Sequence, residues 1–228
     1  MTYNIRNAIG IDKKFSTKRI ADVIRNSKAD VVAVQEVDSM TARSKGRYVL
    51  GEIADYLSMY HSFAPALDYD GGKYGIGILS KERPISLSKV ALPGTEESRM
   101  LIIAEFSDFV FCCTHLSLTY SDRIKSIDVL KEKIKGIKKP VFLAGDFNDS
   151  PNSEFMKKLK KDFRLLSNDG VFTWPADNPE KTIDYIMVLK KSSEIVSKIR
   201  GEVLNEPMAS DHRPVLVNII LSQYSNNR

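Results

Sequence analysis

Residues 143–152 read LAGDFNDSPN, where an apolar strand-like run ends on Gly145 and is followed at once by Asp146, Asn148 and Asp149. Strand alternation is expected to put Asp146 and Asn148 on one face, with Phe147 and Asp149 on the other. Acids and amides at the end of a buried strand are costly to desolvate unless something pairs with them. Residues of similar chemistry close or interrupt other apolar runs: Asn4 in TYNI, Glu36 at the end of VVAVQE, His115 at the end of VFCCTH, Asp184 inside TIDYIMV, and Asp211-His212 just before PVLVNII. In an open α/β sheet, ligands gather at the carboxyl ends of strands, so several such ends can converge on one cleft. Taken singly, each residue has an ordinary reading: a Glu after a strand is a solvated end, a Gly-Asp pair is a turn, and Asp211 caps a bend. Taken together and in order, they are better explained as a metal-plus-acid/base set than as independent accidents. Their oxygens suit a hard cation, Mg²⁺ or Mn²⁺. Zinc is a poorer fit, because thiolates are absent from the set and the chain has only 3 histidines.

The elements that must position these residues alternate along the chain. Strand-like runs fall at 2–5, 31–36, 75–80, 86–92, 100–106, 109–116, 140–145, 182–189 and 214–221. Helical periodicity is expected at 16–28, capped by Ser16, with Ile20, Val23 and Ile24 on one face. A second helix is expected at 121–137 after Ser121, with Ile124, Ile127, Leu130, Ile134 and Ile137 in one stripe. Helices between strands imply crossovers, and 86–116 reads as an antiparallel meander, so the class is α/β with mixed sheets. Asn168–Asn178 is the most loop-like stretch, yet no linker or repeat divides the chain, and 1–228 is expected to be one domain.

Composition narrows the function classes. The 228 residues are 43% hydrophobic, ample for a sizeable interior. No apolar run reaches the ~18 residues that a membrane-spanning helix needs. The formal charge of +5 suits an anionic substrate and falls well short of a nucleic-acid signature. Lysines cluster at 131–139, 157–161 and 190–191, and the first two clusters sit on amphipathic periodicity, where they read as solvated faces. Cys112 and Cys113, adjacent in a strand, point to opposite faces and form no disulfide framework. The chain begins MTYNIR, without leader character, yet its first strand starts at once and leaves Asn4 near a free end expected to fray. That is read as a sign of residues trimmed upstream, so export with a leader absent from this chain stands beside a cytoplasmic location. The expected state is a monomer.

In order, TYNIR, QEV, YGIGILS, THL, GDFN, IDYI and SDHRPV resemble the motifs of the endonuclease/exonuclease/phosphatase superfamily, the DNase I-like metal phosphohydrolases. The resemblance runs from residue 2 to about residue 221 and is carried most specifically by GDFN and SDHRP with IDY between them. It implies a four-layer sandwich of two mixed β-sheets packed face to face with helices outside, and phosphoester hydrolysis assisted by Mg²⁺ or Mn²⁺. It implies that Glu36 and Asn4 are metal-side ligands, with Asp211 a further oxygen. Asp146 and Asn148 would orient the attacking water and a phosphate oxygen, Asp184 would orient the catalytic imidazole of His212, and His115 would donate to phosphoryl or leaving oxygens. Whether Asp146 or His212 takes the proton is left open. Tyr74 and Arg99 match family positions, Tyr74 lining the cleft and Arg99 serving as a phosphate ligand or a structural ion pair. Trp174 either flanks substrate or packs as a rim, and His61 reads as ordinary.

The third motif, THL, stands where the family's abasic-site endonucleases carry a tyrosine in an NxYxPN context. That departure argues against the DNA-repair branch. The expected substrate is a small or lipid-derived phosphoester, with a nuclease of the same fold as the alternative. A non-catalytic binding module ranks last, because every catalytic position is filled.

Overall fold

The structure is a computed structural model, and it describes residues 1–222. The described residues form β1 (Thr2–Asn4), α1 (Thr17–Ser27), β2 (Val31–Ser39), α2 (Val49–Leu57), β3 (Tyr60–Tyr69), β4 (Gly72–Ser80), β5 (Ser86–Leu92) and β6 (Arg99–Glu105). There follow β7 (Val110–His115), α3 (Tyr120–Lys133), β8 (Val141–Asp146), α4 (Glu154–Asp162), β9 (Phe163–Leu165), β10 (Asp184–Leu189), β11 (Val196–Val203) and β12 (Val215–Leu221). One sheet has the order β11-β12-β1-β2-β4-β3 and the other β5-β6-β7-β8-β10-β9. Each is antiparallel except at one central pair, β1–β2 in the first and β7–β8 in the second. A parallel pair needs a crossover, and α1 and α3 supply the two crossovers. The sheets thus share a central strand–helix–strand unit.

Three apolar layers separate four layers of structure, the α/β sandwich expected from the sequence. Ile20, Ile24, Leu50 and Ile53 of α1 and α2 pack on Tyr3, Val32 and Val34 of the first sheet. Ile127, Leu130, Phe155 and Leu159 of α3 and α4 pack on Cys112, Leu143 and Met187 of the second. Between the sheets lie Ile76, Ile78, Ile102, Cys113, Phe142, Ile186 and Val215. The adjacent cysteines therefore do face opposite layers, and both are buried thiols. At ~25 cal/mol per Å² of apolar area, such layers are the main stabilising contribution.

Ser16 caps α1 as expected, its Oγ accepting from Arg19 N at 3.2 Å. The expected helix at 121–137 is shifted: α3 begins at Tyr120, with Asp122 N already bonded to Thr119 O, and it stops at Lys133. Its early end has a local cause, because Gly136 adopts φ 84° and turns the chain away. Ile134 and Ile137 still reach the apolar layer from that turn. The sequence patterns miss α2, which has Gly51 in its interior, and most of β3, which carries Pro65 and a largely exposed face. They also miss the three-residue β9 and the solvent-facing edge strand β11. β1 does not stand at a frayed end. It pairs with β12 on one side and β2 on the other, and Tyr3 is fully buried.

Candidate active site

The strand register assembles the site. His115 ends β7, Asp146 ends β8 and Asp184 opens β10, and they are direct partners across the ladder, His115 opposite Asp146 and Asp146 opposite Asp184. Asn4, ending β1 in the other sheet, reaches across and donates from Nδ2 to Asp146 Oδ2 at 3.1 Å and to Glu36 Oε1 at 2.9 Å. His212 enters from the bend before β12 and puts Nδ1 2.9 Å from Asp184 Oδ2 and Nε2 3.7 Å from Asp146 Oδ2. Asp184 can only accept while ionised, so Nδ1 carries the proton of that bond. Thr173 Oγ1 donates to the same Asp184 oxygen at 2.6 Å, and Ser210 Oγ donates to Asn4 O at 2.7 Å.

Burial and charge set the protonation pattern. Asp146 is 1% exposed, and burial together with the neighbouring Asp184 pushes its carboxyl up to about 7. Burial works against charge on His212, yet the carboxylates of Asp184, Asp146 and Asp211 outweigh it and raise the imidazole to about 10. His115, 3.5 Å from Asp146 through Nε2, is driven well below the ordinary histidine range by burial and by the Arg99 guanidinium. One imidazole is thus held charged and the other neutral, on either side of one carboxylate. Environments that push titrating groups apart in this way separate acid from base roles. Asp184 Oδ1 is buried without a hydrogen-bond partner among the described residues, a costly state that native interiors rarely tolerate outside functional sites.

Asp146, Asp184 and His212 offer ligand atoms all within 4.8 Å of one another. His212 Nδ1 and Asp184 Oδ2, 2.9 Å apart, are already joined by a hydrogen bond, so the three residues form a bonded row more readily than a chelate. The better cation site is on the Glu36 side. Glu36 sits on a bulge where the pairing of β2 with β4 slips between Val34 and Val37, and its φ is 55°. Such a bulge re-aims a side chain. Burial pushes the Glu36 carboxyl up, only partly relieved by the bond from Asn4, and no cationic side chain pairs with it among the described residues. A carboxylate pushed up by burial, bonded by the Asn4 amide nitrogen and without an ion-pair partner among the described residues, fits a hard divalent ion.

The other expected site residues fall as follows. The amide of Asn4 turns its nitrogen to the carboxylates and its oxygen to Arg6 N at 3.1 Å. The Asp211 carboxylate has Oδ2 3.7 Å from Arg6 Nε and Oδ1 3.4 Å from Ser210 Oγ. Asn148 is not in the strand at all: β8 ends at Asp146, and Asn148 has φ 51°. Strand parity therefore does not aim it; its N donates to Asp146 Oδ1 and its Nδ2 to Leu116 O, both at 2.9 Å. Phe147 between them is fully buried against Phe155 and Tyr185, and Asp149 pairs with Arg123 as a turn residue. Of the two readings of Arg99, the geometry displays the ion pair, with Nη2 3.2 Å from both Glu96 and Glu97. Arg99, Tyr74 and His115 line one small cavity with Glu97. Trp174 is half-buried with the Lys181 ammonium 5.4 Å from its ring centroid. His61 is exposed on β3 and meets Tyr48 Oη at 3.2 Å. The sequence reading missed Thr173 and Ser210, although both adjoin residues it singled out, in TWP and SDH.

The model of the endonuclease/exonuclease/phosphatase family matches residues 1–212. The chain belongs to that family. Solved structures with the family's fold include a functionally unknown conserved protein from Enterococcus faecalis V583, 19% identical with a TM-score of 0.78, the match covering 97% of this chain and 98% of that one. A mannosyl-6-phosphatase from Bacteroides thetaiotaomicron VPI-5482 is 18% identical with a TM-score of 0.74, over 96% and 98% of the two chains. The human Nocturnin catalytic domain with bound sulfate is 18% identical with a TM-score of 0.72, over 96% and 93%. No curated protein matches the chain in sequence. Membership of the endonuclease/exonuclease/phosphatase family makes the protein a phosphoester hydrolase in class, of a kind that generally depends on a divalent metal.

Proposed function

We propose that the protein hydrolyses a small or lipid-derived phosphoester with the help of Mg²⁺ or Mn²⁺, using the row Asp184–His212–Asp146 as its catalytic core. The observation that carries this reading is the arrangement of that row: an imidazole bonded to one carboxylate through Nδ1, with Nε2 facing a second. Glu36, with Asn4 steering it and Asp211 nearby, would hold the cation, whose chemistry is to neutralise charge on the phosphoryl and leaving oxygens. Asp184 and Thr173 fix the ring of His212, so its charged Nε2–H is pre-aimed at a phosphoryl oxygen. Asp146, steered by Asn4 and Asn148 N, lies where an attacking water would be oriented and relieved of its proton. The neutral His115 donates to the phosphoryl group or the leaving oxygen.

The surroundings support a compact substrate over a nucleic acid. Leu118, Phe172 and Met208, close in sequence to His115, Thr173 and Ser210, are exposed apolar side chains. Four lysines of the first two clusters are engaged with carboxylates: Lys131 with Asp162, Lys139 with Glu105, Lys157 with Glu154 and Lys160 with Asp169. A nuclease is the second reading, favoured only by the family. One preparation assayed with Mg²⁺ or Mn²⁺ on a sugar phosphate, a phosphoinositide, a sphingomyelin-like lipid, an oligonucleotide and plasmid separates them. Turnover confined to the first three is expected; salt-sensitive cleavage of the nucleic acids alone would reverse the assignment.

A further inference from the structure

We infer that Arg43 is a positioning residue that locks Asn4 and Glu36 into register with each other, an inference that rests on the proposed cation site at Glu36. Arg43 lies in the turn after β2. Its Nε donates to Asp38 Oδ2 at 2.7 Å and its Nη2 to Asp38 Oδ1 at 2.8 Å. The same Nη2 donates to Asn7 Oδ1 at 2.8 Å. Asp38, two residues beyond Glu36, is fully buried and also accepts from Thr41 Oγ1 at 2.7 Å. Asn7 is three residues beyond Asn4. The guanidinium is stacked on Tyr69 at 4.2 Å and lies 5.6 Å from Tyr74, both of the β3–β4 hairpin. One planar cation therefore ties together the segments that carry Asn4, Glu36 and Tyr74.

Both segments need tying. Glu36 has φ 55° on its bulge, and Arg6, Asn7 and Ala8 are three consecutive residues with φ 44°, 55° and 61°. Left-handed backbone is unfavourable for non-glycine residues and persists only where its surroundings over-determine it. The fork of Arg43 meets that need in a way a lysine cannot, because a single ammonium does not bond both Asp38 oxygens and Asn7 in one plane. The buried charge of Asp38 is compensated by the same contact. Groups that orient ligands from behind affect metal affinity by about 10–100-fold when removed.

The test is direct binding of Mn²⁺ followed by electron paramagnetic resonance, together with hydrogen exchange at the amides of residues 4–9 and 35–39 in metal-free protein. The variants are Arg43→Lys, Asn7→Gly, which suits the left-handed backbone, Asn7→Asp, which keeps the acceptor, and Glu36→Gln. Arg43→Lys and Asn7→Gly are expected to weaken Mn²⁺ binding about 10-fold or more and to speed exchange in both segments, while Asn7→Asp stays near wild type. Glu36→Gln is expected to lose Mn²⁺ binding without faster exchange at 4–9. Unchanged exchange and unchanged Mn²⁺ affinity in Arg43→Lys and Asn7→Gly would overturn the role of Arg43. If exchange quickens in those variants while Glu36→Gln binds Mn²⁺ like wild type, the cation site at Glu36 falls and the positioning role stands.

Discussion

In the unit β1–α1–β2 the carboxylate is Glu36, partly exposed on a bulge with φ 55°, whereas in β7–α3–β8 it is Asp146, 1% exposed at the regular end of a strand. Each unit also contributes one neighbour at the end of its first strand, Asn4 in one and His115 in the other. The same local architecture therefore delivers two different electrostatic settings. Asp146 receives its partners from the strand ladder and from across the sandwich, so it is aimed by tertiary pairing. Glu36 is re-aimed by an irregularity in its own strand and held by a network around Arg43. Under the proposed function the difference would be a division of labour, with proton and phosphoryl chemistry at the regular strand end and cation binding at the bulge.

The largest expected effect comes from breaking the regular strand end. His212→Ala and Asp146→Asn should each lower kcat on the order of 10³-fold or more with the fold retained, as judged by circular dichroism. Asp184→Asn should lower it by about 10²-fold or more, since the ring of His212 loses its orienting charge. Near-normal turnover in any of the three would remove the row from the mechanism. At the bulge, Glu36→Gln should abolish the response to added Mg²⁺ or Mn²⁺ while leaving the unfolding midpoint close to wild type. A lost midpoint instead would make the bulge a structural feature.

Phe142 lies on β8 at the opposite end from Asp146, where it lines an open pocket of about 230 Å³ with Phe111, Ile186, Val217 and Asn218. Phe142→Ala should cost about 3 kcal/mol of stability in denaturant titration and leave turnover per folded molecule within about twofold. A matching loss of kcat would show the two ends of the strand to be coupled. A further effect is on pH dependence. His212 is raised from 6.5 to about 10, so its native state holds a proton that the unfolded state has lost between those values. The stabilisation is fully present below the unfolded value near 6.5 and is lost as pH rises through about 10. Asp146, raised to about 7, also makes stability fall with rising pH, but only up to that point. In metal-free protein the decline above pH 7 should therefore vanish in His212→Gln, and its persistence would assign it to another group.

Much of this was legible in the residues. The apolar runs of β2, β7, β8 and β12 and the cap at Ser16 follow from local periodicity, and the ordered polar strand ends follow from the cost of burying them unpaired. Elements with weak local signals were not: β3 carries a proline and an exposed face, and β11 is a polar edge strand. Asn148 shows why parity arguments stop at a strand's last residue, because the chain turns left-handed there and the side chain is aimed by Leu116 O instead. By itself the sequence determined which chemical groups exist, their order and the alternation of the elements that bear them, because these depend on neighbours along the chain. Only the tertiary structure decided that Asn4 lies between Glu36 and Asp146, that one histidine is held charged and the other neutral, and that Arg99 is bound in an ion pair. Those outcomes depend on groups distant in sequence and on the burial they impose on one another, which no local pattern encodes.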